Sequence, residues 1–264
     1  MAHDLAVQTV IPMEDNQTRR RNCNNWYFSN QSDICKQVWD IGQAYLTKFK
    51  DDKTKPHRHN WFPVQLTKYF YFLYLTGARL NEPFLKPGIE LNTGFQDGYS
   101  YMQVTRVNEK HFTRQTANRE VIAAIMPIFD IYEQQMWNFI TDGGNVFNTE
   151  QIFKFSEWGN VADDRISRLV KRNFKTNLRD EAGNVHKNAG ITPHILRHMR
   201  CANLILHRVR EELILRWIGW ADKRMMYYYA HIKRILDVRN QTQMIKADGI
   251  GTNLRLGLSV DVSY

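Results

Sequence analysis

Residues Thr192–Ile232 read TPHILRHMRCANLILHRVREELILRWIGWADKRMMYYYAHI, and the interpretation of the whole chain turns on them. Thr192-Pro193 is a helix start, because proline in the first turn lacks an N–H that would go unused there anyway. His194, Arg197 and His198 then stand at i, i+3 and i+4, which puts all three on one face of the helix's first turns. A helix N-terminus has free N–H groups and a dipole that favours anions, so an arginine beside it makes a phosphate cradle. A histidine pair at i, i+4 also suits a metal, but no third ligand stands at suitable spacing nearby and no metal site is expected. Leu204, Ile205, Leu213, Ile214, Trp217 and Ile218 repeat at helical spacing and are expected in the core. Gly219-Trp220 follows, then the cluster Tyr227, Tyr228 and Tyr229.

Outward from that stretch, the chain has 264 residues, of which 43% are apolar, enough for one large or two modest domains with a sizeable core. A formal charge of +9 and a pI near 9.4 make the surface attractive to polyanions, nucleic acid most simply, although an acidic membrane face would respond to the same field. No apolar run approaches the ~18–20 residues that span a bilayer, and the first residues lack a basic region followed by an apolar one. A soluble protein of the cell interior, cytoplasmic, follows as the expectation. Cys23, Cys35 and Cys201 form no C-x-x-C pair and are expected to be reduced thiols rather than a disulfide framework or zinc site.

Residues 1–20 carry neither a helical nor a strand period and read as an exposed arm. Ile34, Val38, Ile41 and Tyr45 fall three or four apart, which predicts a helix within residues 29–49. The charged segment near residues 50–60 reads as a linker or exposed loop. Val64–Leu85 suits a helix buried on most of its surface, and it carries Arg79 and Glu82 in the run TGARLNE. A charge in such an element needs an anion to face, and a salt bridge from Arg79 to Glu82 at i, i+3 is the plain structural alternative. Asn92–Ile125 predicts a small antiparallel sheet, with Lys110 and Arg114 on or near a hairpin. Further helices are expected over 126–140 and 148–155. Ala162–Thr176 places Arg165, Arg168, Lys171, Arg172 and Lys175 on one helix face, available to phosphates, opposite Ile166, Leu169, Val170 and Phe174. RDEAGNVHKNAG, residues 179–190, reads as a turn-rich excursion. Near the end, Leu254, Leu256, Leu258, Val260 and Val262 alternate with polar residues as a strand does.

With these motifs in view, the chain resembles the tyrosine recombinases, the phage-integrase family. The family pattern is His-x-x-Arg, a Gly followed by His or Trp about two dozen residues later, and a tyrosine nine residues beyond. His194 and Arg197 match the first part, Trp220 stands twenty-three residues after Arg197, and Tyr229 stands nine after Trp220, before Ala230-His231-Ile232. TGARLNE matches the family's first arginine box and assigns Arg79. The resemblance covers roughly residues 60–245.

It implies a mainly helical α+β fold with a small antiparallel β-sheet and a catalytic domain at 59–248. Residues 1–58 would then be a reduced DNA clamp or linker, and 249–264 a tail whose strand either closes its own sheet or adds to that of a neighbouring protomer. It implies a site-specific DNA recombinase, an integrase or resolvase of a mobile element or replicon, acting through a 3′-phosphotyrosyl link with no metal and no cofactor. The implied partners are double-stranded DNA and further copies of the chain assembled on it. Attack of a tyrosine oxygen on a phosphodiester builds negative charge on the equatorial oxygens, and two guanidiniums, Arg79 and Arg197, are the expected stabilisers. The resemblance makes Tyr229 the nucleophile and gives protonation of the leaving 5′ oxygen to a hairpin lysine; Lys110 is the candidate and Arg114 its rival. His194 is the candidate for assisting the tyrosine proton, and Trp220 can donate its indole N–H to a phosphate oxygen. His198 and His231 read as structural. A type IB-like topoisomerase or telomere resolvase would use the same residues, and a non-cleaving DNA-binding protein could keep the fold.

Overall fold

The centre of the molecule is a helix with no polar face. In the computed structural model, which describes residues 27–28, 33–50, 61–80, 82, 89–107, 121–141, 146–148, 163–179, 184–220 and 223–229, the first helix is α1 (Ile34–Lys50) and the second α2 (Trp61–Thr76). Tyr69 to Leu75 of α2 are all fully buried, as expected of a helix surrounded on every side by protein. The tyrosines among them reach partners with their hydroxyls: Tyr69 donates to the Leu80 carbonyl at 2.9 Å and Tyr71 to that of Trp39 at 2.8 Å. Burial of their rings therefore leaves no orphaned hydroxyl.

Helix α1, helix α3 (Ile131–Thr141) and helix α5 (Pro193–Leu206) pack around α2. Helix α4 (Asp163–Asn173) and helix α6 (Glu211–Ile218) complete the six helices among the described residues. Two antiparallel sheets accompany them. Strands β2 (Glu90–Gln96), β3 (Tyr99–Val107), β4 (Val121–Pro127) and β5 (Val146–Asn148) form a sheet in the order β4-β3-β2-β5. A tight turn at Asp97-Gly98, both with positive φ, joins β2 to β3 and pairs Gln96 with Tyr99. The second sheet, β1-β6-β7, contains β1 (Tyr27–Phe28), β6 (Lys175–Arg179) and β7 (Val185–Gly190). The fold is thus α+β and mainly helical, as the sequence predicts, with two small sheets rather than one. Among the described residues no helix is long and apolar enough to cross a membrane.

Several expectations are corrected. The helix expected over Val64–Leu85 stops at Thr76, because Gly77 takes a left-handed conformation (φ 59°) that turns the chain out of the helix. Arg79 therefore lies on the segment after α2. Met126 belongs to β4, and the helix expected from there begins at Ile131, where the Asp130 carboxylate accepts the Glu133 N–H at 2.8 Å. Asn148, the expected start of another helix, closes β5 against Glu90 of β2; residues 149–155 lie outside the described ones. Lys175 is not on the α4 face. The helix ends at Asn173, buried Phe174 stacks on Phe70 with ring centroids 4.0 Å apart, and Lys175 opens β6. The turn-rich excursion contains a strand, β7, paired with β6 from Lys175↔Gly190 to Arg179↔Val185. Leu213 is exposed, because α6 buries Ile214, Leu215, Trp217 and Ile218 and turns Leu213 to the other side.

Candidate active site

Helix α5 starts as its sequence demands. Thr192 is the N-cap, its hydroxyl accepting the Ile195 N–H at 3.3 Å, and Pro193 occupies the first turn. Arg197, one turn in, is buried, and its Nη1 donates to the Gly77 carbonyl at 2.5 Å. The helix stop that shortens α2 thus also presents the acceptor for this arginine. Its guanidinium carbon lies 5.6 Å from the centre of the Trp220 ring, within range of a cation–π attraction.

Trp220 is placed by the end of α6. Gly219, at φ 74°, caps the helix in the left-handed conformation, and the Trp220 N–H closes back to the Leu215 carbonyl at 2.8 Å. The chain continues into a 3₁₀ helix, Lys223–Tyr229, that ends on the candidate nucleophile.

The two histidines of α5 touch. His194 Nε2 and His198 Nε2 are 2.8 Å apart with the rings edge to face, so one nitrogen carries the proton and the other accepts it. His194 is exposed and His198 buried. Burial, and then the electrostatic influence of His194 and Arg197, push the His198 pKa down to about 3, which keeps its ring neutral at ordinary pH. The i, i+4 spacing of His194 and His198 marks this contact in the sequence. The part played by Gly77 carries no mark in the sequence, since what it offers is a backbone carbonyl, to which no side-chain pattern points.

Arg79 is engaged by its neighbour, the plain alternative anticipated above. Its Nη1 pairs with Glu82 Oε1 at 2.8 Å and its backbone N–H donates to Glu82 Oε2 at 2.9 Å. Glu82 is 1% exposed and the Arg79 side chain 16% exposed, so the pair faces solvent only through the arginine. The structure therefore brings together the Gly77 carbonyl of the turn after α2, Arg197, Trp220, His194 and His198. Lys110 and Arg114 lie outside the described residues, as do the tail 249–264, the arm 1–20, Cys23 and His231. Of the basic face, Arg168, Lys171 and Arg172 are exposed on α4 and Lys175 is exposed on β6; Arg165 belongs to α4, its side chain outside the described set.

A metal-capable group, Cys35, Asp130 and Glu133, lies elsewhere, between α1 and α3. Its donors are already committed: Glu133 pairs with Arg200 through Oε1 and accepts the Phe129 N–H through Oε2 at 3.1 Å, while Asp130 holds the Glu133 N–H. Burial and then the Glu133 charge push the Cys35 thiol well above its usual range, so it is a poor source of thiolate. A cation entering there would have to displace a guanidinium, and the residues do not fit a metal.

No protein-family model matches the chain, and no curated protein does. Among solved structures it is similar to the XerH site-specific recombinase bound to palindromic difH substrate in a post-cleavage complex, at 13% identity and a TM-score of 0.41, over 79% of this chain and 51% of that one. It is similar also to the XerH pre-cleavage complex on difH, at 12% identity and a TM-score of 0.35, over 75% of this chain and 48% of that one. The chain spans about half the length of these structures.

Proposed function

We propose that the protein is a DNA strand-cleaving and rejoining enzyme of the tyrosine recombinase type, acting at specific sites. The observation that carries the reading is the seating of Arg197 between the Gly77 carbonyl of the first arginine box and the ring of Trp220, three sequence motifs meeting at one guanidinium. In this reading Arg197 and Arg79 hold the non-bridging oxygens of the scissile phosphate as negative charge builds on them. The Tyr229 oxygen attacks phosphorus and the bond to the 5′ oxygen breaks. The tyrosine proton passes to His194, and the leaving oxygen takes a proton from Lys110. The exposed cations Arg168, Lys171, Arg172 and Lys175, together with Arg165, contact flanking phosphates and make binding salt-dependent. Assembly of several copies on double-stranded DNA belongs to the same proposal, as does the division into 1–58, 59–248 and 249–264.

The test is incubation with nicked suicide substrates carrying candidate sites, followed by detection of a covalent protein–DNA adduct. The expected adduct disappears in Tyr229→Phe and persists in Tyr227→Phe and Tyr228→Phe. An adduct that survives in Tyr229→Phe sinks the nucleophile assignment. Relaxation of plasmid without a specific site or strand exchange turns the reading toward a topoisomerase. One observation favours a second reading, a DNA-binding protein that does not cleave: Arg79 is held by the buried carboxylate of Glu82, which offsets the positive charge the chemistry asks of it. Tight DNA binding with no adduct on any substrate decides for that reading.

A further inference from the structure

Three residues beyond Arg197, helix α5 sends a second arginine into the core. Arg200 is offset by about 60° around the helix axis from Arg197 and is fully buried. It is ion-paired through Nη1 with Glu133 of α3, itself fully buried, and the same nitrogen donates to Asn203 Oδ1 at 3.0 Å. Glu133 is anchored in turn by the Phe129 N–H and by its own N–H on Asp130. Asn203 Nδ2 donates to Cys35 Sγ at 3.3 Å, and that sulfur lies 3.0 Å from the Tyr74 hydroxyl. One polar cluster therefore joins α1, α2, α3 and α5.

Stability does not account for such a cluster. Withdrawing two charges from water offsets most of their attraction, and an apolar pair of similar volume commonly holds a fold at least as well. Here the cost is raised further, because Nε and Nη2 of Arg200 have no hydrogen-bond acceptor among the described residues. What a buried pair does supply is direction: it is satisfied at one rotation and one height of the helix only. The Arg200 stem also passes the site's own junction. Its Cγ lies 3.9 Å from where a Cβ on Gly77 would sit, and Gly77 is the residue whose carbonyl receives Arg197. The turn after α2 thus receives the guanidinium of Arg197 and has the stem of Arg200 nearby.

We infer that Arg200 and Glu133 are a positioning pair that sets the rotation of α5 and so seats the Arg197 guanidinium on the Gly77 carbonyl. The consequence for cleavage rests on the function proposed above; the consequence for the seating of Arg197 does not. Either single truncation strands a buried charge, so the informative variant removes both, Glu133→Leu with Arg200→Met. It is expected to melt cooperatively and to bind DNA as the parent does, since neither side chain reaches the surface. Hydrogen exchange at the Arg197 guanidinium, read by nitrogen-15 NMR, is expected to accelerate toward that of an exposed arginine. Adduct formation on the suicide substrate is expected to fall on the order of a hundredfold, the scale of an ångström-sized misplacement of a reacting group. Unchanged exchange at Arg197 in the folded double variant overturns the inference. A parent protein that forms no adduct refutes the recombinase reading, and the exchange measurement still decides this one. Should the double variant fail to fold, Arg200→Lys keeps the charge while losing the guanidinium fork, and the same two readouts apply with the same outcomes.

Discussion

Gly77→Ala is the most informative single change, because Gly77 both ends α2 and receives Arg197. Two costs combine. A Cβ in the left-handed region at φ 59° costs about 1–2 kcal/mol. The same Cβ would lie 2.5 Å from Ile218 Cδ1, well inside van der Waals contact, with Ile218 fully buried. Relieving that overlap by a rotamer change or a small backbone shift costs about 1–3 kcal/mol. Alanine also stiffens the unfolded chain, which returns roughly 0.4–1 kcal/mol, so the net loss expected is about 2–4 kcal/mol. At about 2–4 °C per kcal/mol for a chain near this size, Tm falls by about 5–15 °C. The cause is separable by a second substitution. Ile218→Val removes the offending Cδ1, and the next atom, Cγ1, sits at an ordinary 3.8 Å. Alone, that change costs about 0.5–1.5 kcal/mol; in the Gly77→Ala background it should cost nothing or restore stability, a coupling of about 1–2 kcal/mol. Denaturant or thermal unfolding of the four proteins reads this directly. If the two losses simply add, within about 0.5 kcal/mol, the packing of α6 against the end of α2 argued here is wrong.

Three further outcomes follow from the structure. His198 has a folded pKa of about 3 against 6.5 when unfolded, so the stability it contributes is full above about pH 6.5 and is lost as pH falls toward 3, by about 1.4 kcal/mol per pH unit; His198→Asn should flatten that part of a stability–pH profile. Glu82→Gln places an amide where Arg79 needs two acceptor oxygens, and should lower stability by about 1–3 kcal/mol; on the function proposed above it should also tighten DNA binding as Arg79 loses its counter-charge, and unchanged melting would contradict the pairing. Cys35 and Cys201 are buried, and Cys35 has its thiol pushed up, so neither should react with iodoacetamide in the folded protein, although both should after denaturation; mass spectrometry of labelled peptides checks this.

The parts of the fold legible beforehand are those set by neighbours in the chain. The start of α5 is chemistry between Thr192, Pro193 and Ile195, and the stop after α6 is the freedom of Gly219 to adopt φ 74°, so both could be read directly. The burial of α2 was equally visible in its unbroken apolar and aromatic run. Strand β7 was not, because VHKNAG has no apolar alternation. It is a strand because β6 lies beside it, with Leu178 opposite His186. The place of Lys175 is hidden for the same reason: its basic neighbours continue the helical pattern, while Phe174, stacking on Phe70 of α2, ends the helix before it.

The sequence by itself determined the helical character, the basic surface, and the order and spacing of Arg79, His194, Arg197, Trp220 and Tyr229, because spacing is a property of the chain. Only the tertiary structure decided what those residues meet. Gly77 lies 120 residues from Arg197, Glu133 lies 67 from Arg200, and Leu75 lies 142 from Trp217, whose indole N–H it accepts at 3.0 Å. Such partners share no local period, so nothing along the chain marks them. They are joined by the packing of α3, α5 and α6 around the buried helix α2.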